Sequence, residues 1–285
     1  MPKIGPYTLY TIETGRFRLD GGTMFGIVPR SLWQRRMPAD ARNRISLNMR
    51  CLLLEGDGRL ILIDNGIGEK YDAKFKDIFA IDPAYSTLQG SLEAAGFTAS
   101  DVTDVILTHL HFDHCGGSTT RRGDRLALSF PNAIYHVQQA HLDWAQHPTL
   151  REKASFLPEN IEPLVASGQL NRVAGAGPLF PGIDVMIVNG HTESQQMVKI
   201  SGVEGTLVFV ADLLPTSHHL RLPWIMAYDV RPLVTLQEKQ DFLAQALAGG
   251  WHLFFEHDPE VAVASLGQTE RGIDAVDPRP LDELF

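Results

Sequence analysis

The chain reads as an α+β fold on three observations. Short apolar runs bounded by glycine, proline or aspartate recur at 49–55, 59–64, 102–108, 133–137, 183–188, 205–212 and 251–255, and read as strands. Between them, 87–95, 138–146 and 234–249 carry apolar residues at helical spacing. Chemistry-bearing residues gather where strands end, a usual place for function in folds that mix the two elements.

Composition narrows the field. Hydrophobic residues make up 44% and charged residues 21%, enough for a packed core and against global disorder. The 285 residues are read as a single domain, 1–285, with an N-terminal extension and a helical insertion around 138–166. A net charge of −9 argues against general binding to nucleic acid or anionic membranes. Two cysteines make no disulfide framework: Cys51 sits in an apolar run and Cys115 fills a small-residue position. The first residues lack the apolar centre of a signal peptide, and no run of 18 apolar residues occurs. The expectation is a cytoplasmic enzyme acting on a small molecule, with no nucleic-acid or membrane partner.

Taken in order, 7–20 reads as one or two strands, with Tyr7, Leu9 and Thr11 on one face and a break at Gly15. Residues 21–26 form a glycine-punctuated loop carrying Met24 and Phe25. Those side chains admit two readings, a plug in the core or an apolar lip over a substrate. A short helix is read at 29–36 and a surface loop at 37–44. The runs 49–55 and 59–64 flank Gly56-Asp57-Gly58, a hairpin signal, and the second ends in the turn Asp64-Asn65-Gly66. Residues 70–82 read as an irregular, partly exposed insertion. A helix at 87–95 stops at Gly96, and 102–108 is the next strand.

That strand leads into T-H-L-H-F-D-H-C-G-G at 108–117. Three of the chain's 11 histidines fall here, beside Asp113. Imidazole nitrogen and carboxylate oxygen are the donors that borderline divalent metals prefer. Side chains two apart in an extended segment point the same way, so His109 and His111 can grip one ion. Asp113 and His114 are adjacent and diverge, so one turn-like step aims them at a second position. Gly116 and Gly117 allow a sharp turn and close approach.

H-L-H-F-D-H resembles the H-x-H-x-D-H signature of the metallo-β-lactamase superfamily. The resemblance implies a four-layer αββα sandwich with two metals at one edge, and three more ligands downstream at strand ends. His191 in the turn Gly190-His191-Thr192 resembles the third ligand, although Glu193-Ser194 replaces the usual following residues. Asp212, closing the run 205–212, resembles the carboxylate that bridges both metals. His257, in Glu256-His257-Asp258, resembles the last ligand, and Asp64 an acid that orients a ligating imidazole. The implied set is His109, His111 and His191 on one ion and Asp113, His114 and His257 on the other, bridged by Asp212.

The rest of the chain is read as follows. Arg121 to Arg125 is a polar turn. A helix at 138–146 is followed by a helical excursion over 148–166, broken by Pro158 and Pro163, placed where it could cover the site. His136, His141 and His147 fit no ligand order and read as structural or surface residues. Strands are read at 170–173 and 183–188 with a loop at 175–182 between them, an amphipathic helix at 234–249, and a polar surface tail from 267 on.

The resemblance further implies a hydrolase. Two divalent ions, Zn first and Mn, Fe or Co admitted, would share a hydroxide that attacks a lactone or other carboxylic ester. Asp113 and Asp212 are the catalytic carboxylates of this reading. The alternative is a phosphotriester or phosphodiester hydrolase, or a thioesterase, using the same site. Asp rather than Cys at 212 moves the reading away from true β-lactamases. Lactone-hydrolysing members place a tyrosine three residues after the bridging Asp, where this chain has Pro215. Tyr228, His218 or His219 then stand as substitute donors, and Met24, Phe25, His218, Trp224 and Tyr228 as pocket residues. A metal-loaded binding protein without turnover is the reading from another class. A homodimer is suggested only by analogy with lactonases.

Overall fold

In the computed structural model, which describes residues 1–285 except Pro83 and Arg271, two seven-stranded sheets face each other. In chain order the strands are β1 (Lys3–Ile4), β2 (Tyr7–Asp20), β3 (Arg44–Gly56), β4 (Arg59–Ile63), β5 (Asp104–Ile106), β6 (Thr119–Arg122), β7 (Arg125–Leu128), β8 (Ile134–Gln138) and β9 (Leu170–Val173). Then come β10 (Gly177–Phe180), β11 (Ile183–Val188), β12 (Gln195–Ser201), β13 (Thr206–Phe209), β14 (His252–Phe254), β15 (Val263–Thr269) and β16 (Gly272–Arg279). The first sheet runs β1-β2-β3-β4-β5-β8-β9, the second β10 through β16 in order, and β6-β7 is a separate hairpin. The helices are α1 (Gly21–Phe25), α2 (Arg30–Trp33), α3 (Ala73–Phe79), α4 (Leu88–Ala94), α5 (Phe112–Cys115), α6 (Gln139–Gln146), α7 (Pro158–Ala166) and α8 (Pro232–Ala248).

Burial on both faces explains the continuous apolar runs. In β3, Cys51 and Leu53 pack with Leu92 of α4, Leu142 of α6 and Leu164 of α7. Leu52 and Leu54 point the other way, onto Val198, Leu207 and Phe209 of the second sheet. Val208 and Leu253, on the far face of that sheet, meet Phe242, Leu243 and Ala246 of α8. The order helices, sheet, sheet, helix is the four-layer αββα sandwich expected. Each large side chain so buried contributes about 1.5–3 kcal/mol relative to exposure. Parallel pairing of β4 with β5, and of β13 with β14, brings strand ends of the two sheets to one edge.

Several segments differ from expectation. The loop at 21–26 is helix α1, capped by Asp20, whose Oδ1 accepts from the Thr23 N–H at 2.8 Å. The segment 70–82 contains helix α3, capped by Asp72, and sends Phe75 and Phe79 against Phe112. Pro158 begins α7 rather than breaking a helix, since the first turn needs no N–H there; Pro163 lies inside it. The polar turn at Arg121 to Arg125 is the hairpin β6-β7, and the loop at 175–182 holds β10. The tail is not mere surface: β15 and β16 extend the second sheet, and Leu281 and Leu284 are buried in the intersheet core. Residues 7–20 form one strand, β2, with an irregularity between Glu13 and Arg16 at the Gly15 break. Among the described residues no helix is long and apolar enough to cross a membrane.

Candidate metal centre

The site begins where β4 and β5 end. Asp64 follows β4 with φ +54°, a left-handed conformation that Asp tolerates better than most residues. There its Oδ1 accepts from the Thr108 N–H at 2.7 Å and its Oδ2 from the Thr108 hydroxyl at 2.6 Å. The clasp fixes the chain leaving β5 just before His109. His111 is extended and ends the run, and α5 then turns Asp113 and His114 inward, both buried.

The second sheet supplies the rest. At the end of β11, Gly190 lies so close to Thr235 that a Cβ would stand 2.4 Å from its backbone nitrogen. Ser194, at φ +50°, completes the turn after His191, with its N–H donating to Asn189 Oδ1 at 3.0 Å. Arg231 clamps the same turn through Glu193 at 2.7 Å. Asp212 sits in a 3-10 turn after β13, preceded by Ala211 at φ +45°, a strained conformation for a residue with a Cβ. His257 follows β14, its N–H bonded to the Pro215 carbonyl at 3.1 Å.

These seven side chains meet in two groups. His111 Nδ1 is 3.0 Å from His109 Nε2 and 3.2 Å from His191 Nε2. His114 Nε2 is 3.1 Å from His257 Nε2, and Asp113 Oδ2 lies 3.9 and 3.7 Å from those two atoms. Asp212 stands between: Oδ2 is 3.2 Å from His191 Nε2, while Oδ1 is 3.3 Å from His257 Nε2 and 3.5 Å from His114 Nε2.

The outward nitrogens of four of the five rings are occupied. His191 Nδ1 faces Asp229 Oδ1 at 2.9 Å, and His257 Nδ1 the Asn48 carbonyl at 2.8 Å. His109 Nδ1 faces the Thr108 hydroxyl at 3.1 Å. His114 Nδ1 lies between Asp64 Oδ2 at 3.1 Å and Glu256 Oε2 at 3.0 Å. Protons held on the outward side leave lone pairs pointing inward.

The interior fits divalent cations. Asp212 Oδ1 is buried without a hydrogen-bond donor. The inward nitrogens crowd to 3.0–3.2 Å, close to the edge of about 3.3 Å for two ligands on one tetrahedral ion with bonds of about 2.0–2.1 Å. Burial drives the His109 and His111 rings below the ordinary imidazole value, as neutral ligands require. Burial opposes charge on His114, His191 and His257 too, yet Asp212 and neighbouring carboxylates pull all three upward, His257 to about 9. The carboxylates call for positive charge at this point.

The family model described as the metallo-beta-lactamase superfamily matches residues 50–267. The chain belongs to this superfamily. A protein of Mycobacterium bovis named as a probable metallo-hydrolase is 26% identical over 241 residues, covering 77% of this chain and 74% of that one. An N-acyl homoserine lactonase of Bacillus cereus is 25% identical over 211 residues, covering 71% and 73%. Among solved structures, a probable metal-dependent hydrolase of Staphylococcus aureus superposes with a TM-score of 0.89 at 29% identity, covering 98% of this chain and 99% of that one. The dizinc quorum-quenching lactonase AidC, solved with a product, does so at 0.80 and 22% identity, covering 98% and 97%, a likeness of fold. The chain is thus a metallohydrolase by family.

In this superfamily member a cavity of about 310 Å³ opens onto His111, Asp113, His191, Asp212 and His257. Leu19, Met24, Phe79, Phe112 and Met226 wall it, with Tyr228 and Arg151 among the polar residues. Of the expected pocket residues, Met24 and Tyr228 line it. Phe25, Trp224 and His218 do not: Phe25 stacks on His219 at 4.9 Å and meets Trp224 edge-on at 5.4 Å, a buried cluster behind the wall. His219 holds that wall, with Nε2 at 2.9 Å from the Met24 carbonyl and Nδ1 at 2.8 Å from the Thr216 hydroxyl. His136 pairs with Asp104 and Asn171. His141 accepts from the Leu110 N–H at 2.8 Å and reaches the Glu193 carbonyl at 2.6 Å, bracing the site without entering it. The Cys115 thiol donates to the Leu110 carbonyl, and burial pushes it up to about 12.

Sequence reasoning missed Asp229, Glu256 and Glu152, all buried beside the clustered histidines. Glu256 stood next to His257 at a strand end, a signal that could have been used. Nothing local marks the other two.

Proposed function

We propose that the protein hydrolyses a lactone or another neutral carboxylic ester at a two-metal centre held by His109, His111, His191, Asp113, His114, His257 and Asp212. The single observation that carries this is Asp212, which offers one oxygen to each nitrogen group at 3.2 and 3.3 Å. Divalent ions bound there would acidify a water and polarise the substrate oxygen. Zn suits the donor set first, as it does in the dizinc neighbour, and Mn, Fe or Co suit it too.

The chain's own groups do the remaining work. Burial pushes the Tyr228 phenol up to about 12, so it keeps its proton at neutral pH and can donate to the oxygen that becomes negative. In this reading it does the work of the tyrosine that Pro215 replaces. Asp113 faces the cavity and can orient the attacking water or accept its proton. The apolar wall seats a hydrocarbon portion and keeps water out. Arg151 is the one arginine or lysine lining the cavity among the described residues, and its Nη2 donates to the carbonyls of Ala227 and Asp229. The apolar wall favours neutral esters over charged phosphate monoesters and diesters.

The test is metal content and turnover on lactones, aryl esters, thioesters and phosphotriesters, with Asp212→Ala alongside. Two ions per chain and lactone turnover that Asp212→Ala abolishes are expected. Dominant phosphotriester turnover would overturn the substrate but keep the centre. A chain that binds no metal would overturn both.

A further inference from the structure

The segment joining α6 to α7 lines the cavity through Arg151, Glu152, Ala154 and Ser155. Among them Glu152, 2% exposed, packs beside His111 and His191. Both carboxylate oxygens are engaged. Oε2 accepts from the Trp144 indole N–H at 2.8 Å, and Oε1 from the Thr192 hydroxyl at 2.7 Å. Thr192 is the residue after His191. The same Oε1 lies 3.7 Å from His111 Nε2.

His111 differs from the other four rings. Its Nδ1 points into the site, so Nε2 carries the outward proton, yet Nε2 is buried and makes no hydrogen bond in the described structure. A buried N–H without an acceptor is costly. Glu152 Oε1 is the acceptor aimed at it, and a small ring rotation closes the gap. A carboxylate behind a ligating imidazole fixes its tautomer and orientation and makes the inward nitrogen more basic.

We propose that Glu152 is a positioning residue for the metal held by His109, His111 and His191: it orients the His111 ring directly and the His191 turn through Thr192. The proposal rests on the two-metal reading above. It explains why α6 supplies Trp144 and His141 together. Trp144 holds Glu152, and His141 ties Leu110, between the two motif histidines, to the carbonyl of Glu193. Helix α6 and the segment after it brace both loops, with the Phe112 N–H also donating to the Ser155 carbonyl at 3.0 Å.

The experiment compares wild type, Glu152→Gln and Glu152→Ala, each loaded with zinc and then titrated with a competing chelator. The melting temperature of each metal-free protein is measured in parallel. The expected result is that one of the two ions is held about 10–100-fold more weakly in both variants. The second ion should keep its affinity, and metal-free Glu152→Gln should melt near wild type. Glu152→Gln keeps shape and one acceptor, so it reads the role even if Glu152→Ala folds poorly. Wild-type affinity for both ions in Glu152→Gln would overturn the proposal, as would equal weakening of both ions with a lowered metal-free melting temperature. Wild type that binds fewer than two ions would overturn the centre itself, a separate outcome.

Discussion

Asp229 Oδ1 and His191 Nδ1 lie 2.9 Å apart, both side chains buried, 38 residues from each other in the chain. The carboxylate arrives on the loop before α8 and holds the outward nitrogen of a histidine that follows β11. Asp229→Ala should therefore weaken zinc binding by about 10–100-fold while the fold persists. Zinc titration of the purified variant checks it, and wild-type affinity would show the contact to be idle.

Tyr228→Phe removes only a hydroxyl from the cavity wall. If that hydroxyl stabilises charge developing on the substrate, kcat should fall by about 10²–10³-fold. KM and metal content should change little. A rise in KM at constant kcat would instead assign Tyr228 to substrate binding.

Lys239 bears on stability rather than chemistry. It is 1% exposed and donates to the carbonyls of Arg221 at 3.0 Å and Trp224 at 2.7 Å, tying α8 to the loop behind the cavity wall. Burial pushes its amine from the ordinary 10.5 down to about 7. Between those values the unfolded chain binds more protons than the folded chain, so this group makes stability rise with pH from 7 towards 10.5 and adds no slope below 7. The stability of wild type relative to Lys239→Met should accordingly improve across that interval. Denaturant unfolding at several pH values measures it, and a constant difference would mean that the ammonium keeps its proton in the folded state.

Gly117 follows the metal motif and passes so close to the strand-end turn that a Cβ would stand 2.2 Å from the Asn65 carbonyl oxygen. Its N–H also donates to the Gly66 carbonyl at 2.8 Å. Gly117→Ala must push the two loops apart and should cost about 2–4 kcal/mol. Chemical denaturation would read this directly. A loss below about 0.5 kcal/mol would show that the loops yield freely.

What could be read from the sequence follows the range of the interactions. The H-L-H-F-D-H run is dense and local, and the strands feeding it are continuous apolar segments, so the mixed α and β content and the motif's own cluster were legible from the residues, while the four-layer sandwich came with the family resemblance. His191, Asp212 and His257 needed the family pattern, because each alone is one polar residue after a strand. Strand β12 went unread because Gln195 and Gln196 break its apolar pattern; the Gln196 amide is instead satisfied by carbonyls of Leu107 and His136. The C-terminal strands went unread because β15 and the edge strand β16 are part exposed and carry polar residues. Asp229 and Glu152 are contacts between segments far apart in the chain, which no local spacing encodes. Phe25 and Trp224 admitted both a core and a substrate-wall reading; large aromatics more often complete a core, and here they do.

The two nitrogen groups have a consequence for the order of biosynthesis. His114 and His257 face each other at 3.1 Å but are 143 residues apart, on strand ends of different sheets. At about 5–20 residues per second, a ribosome would need roughly 7–30 seconds between them. During that interval the nascent chain exposes the motif histidines and Asp113 without His257, so any ion it takes up lacks that ligand. The finished centre can close only when β14 has paired beside β13, almost the last event in making the protein.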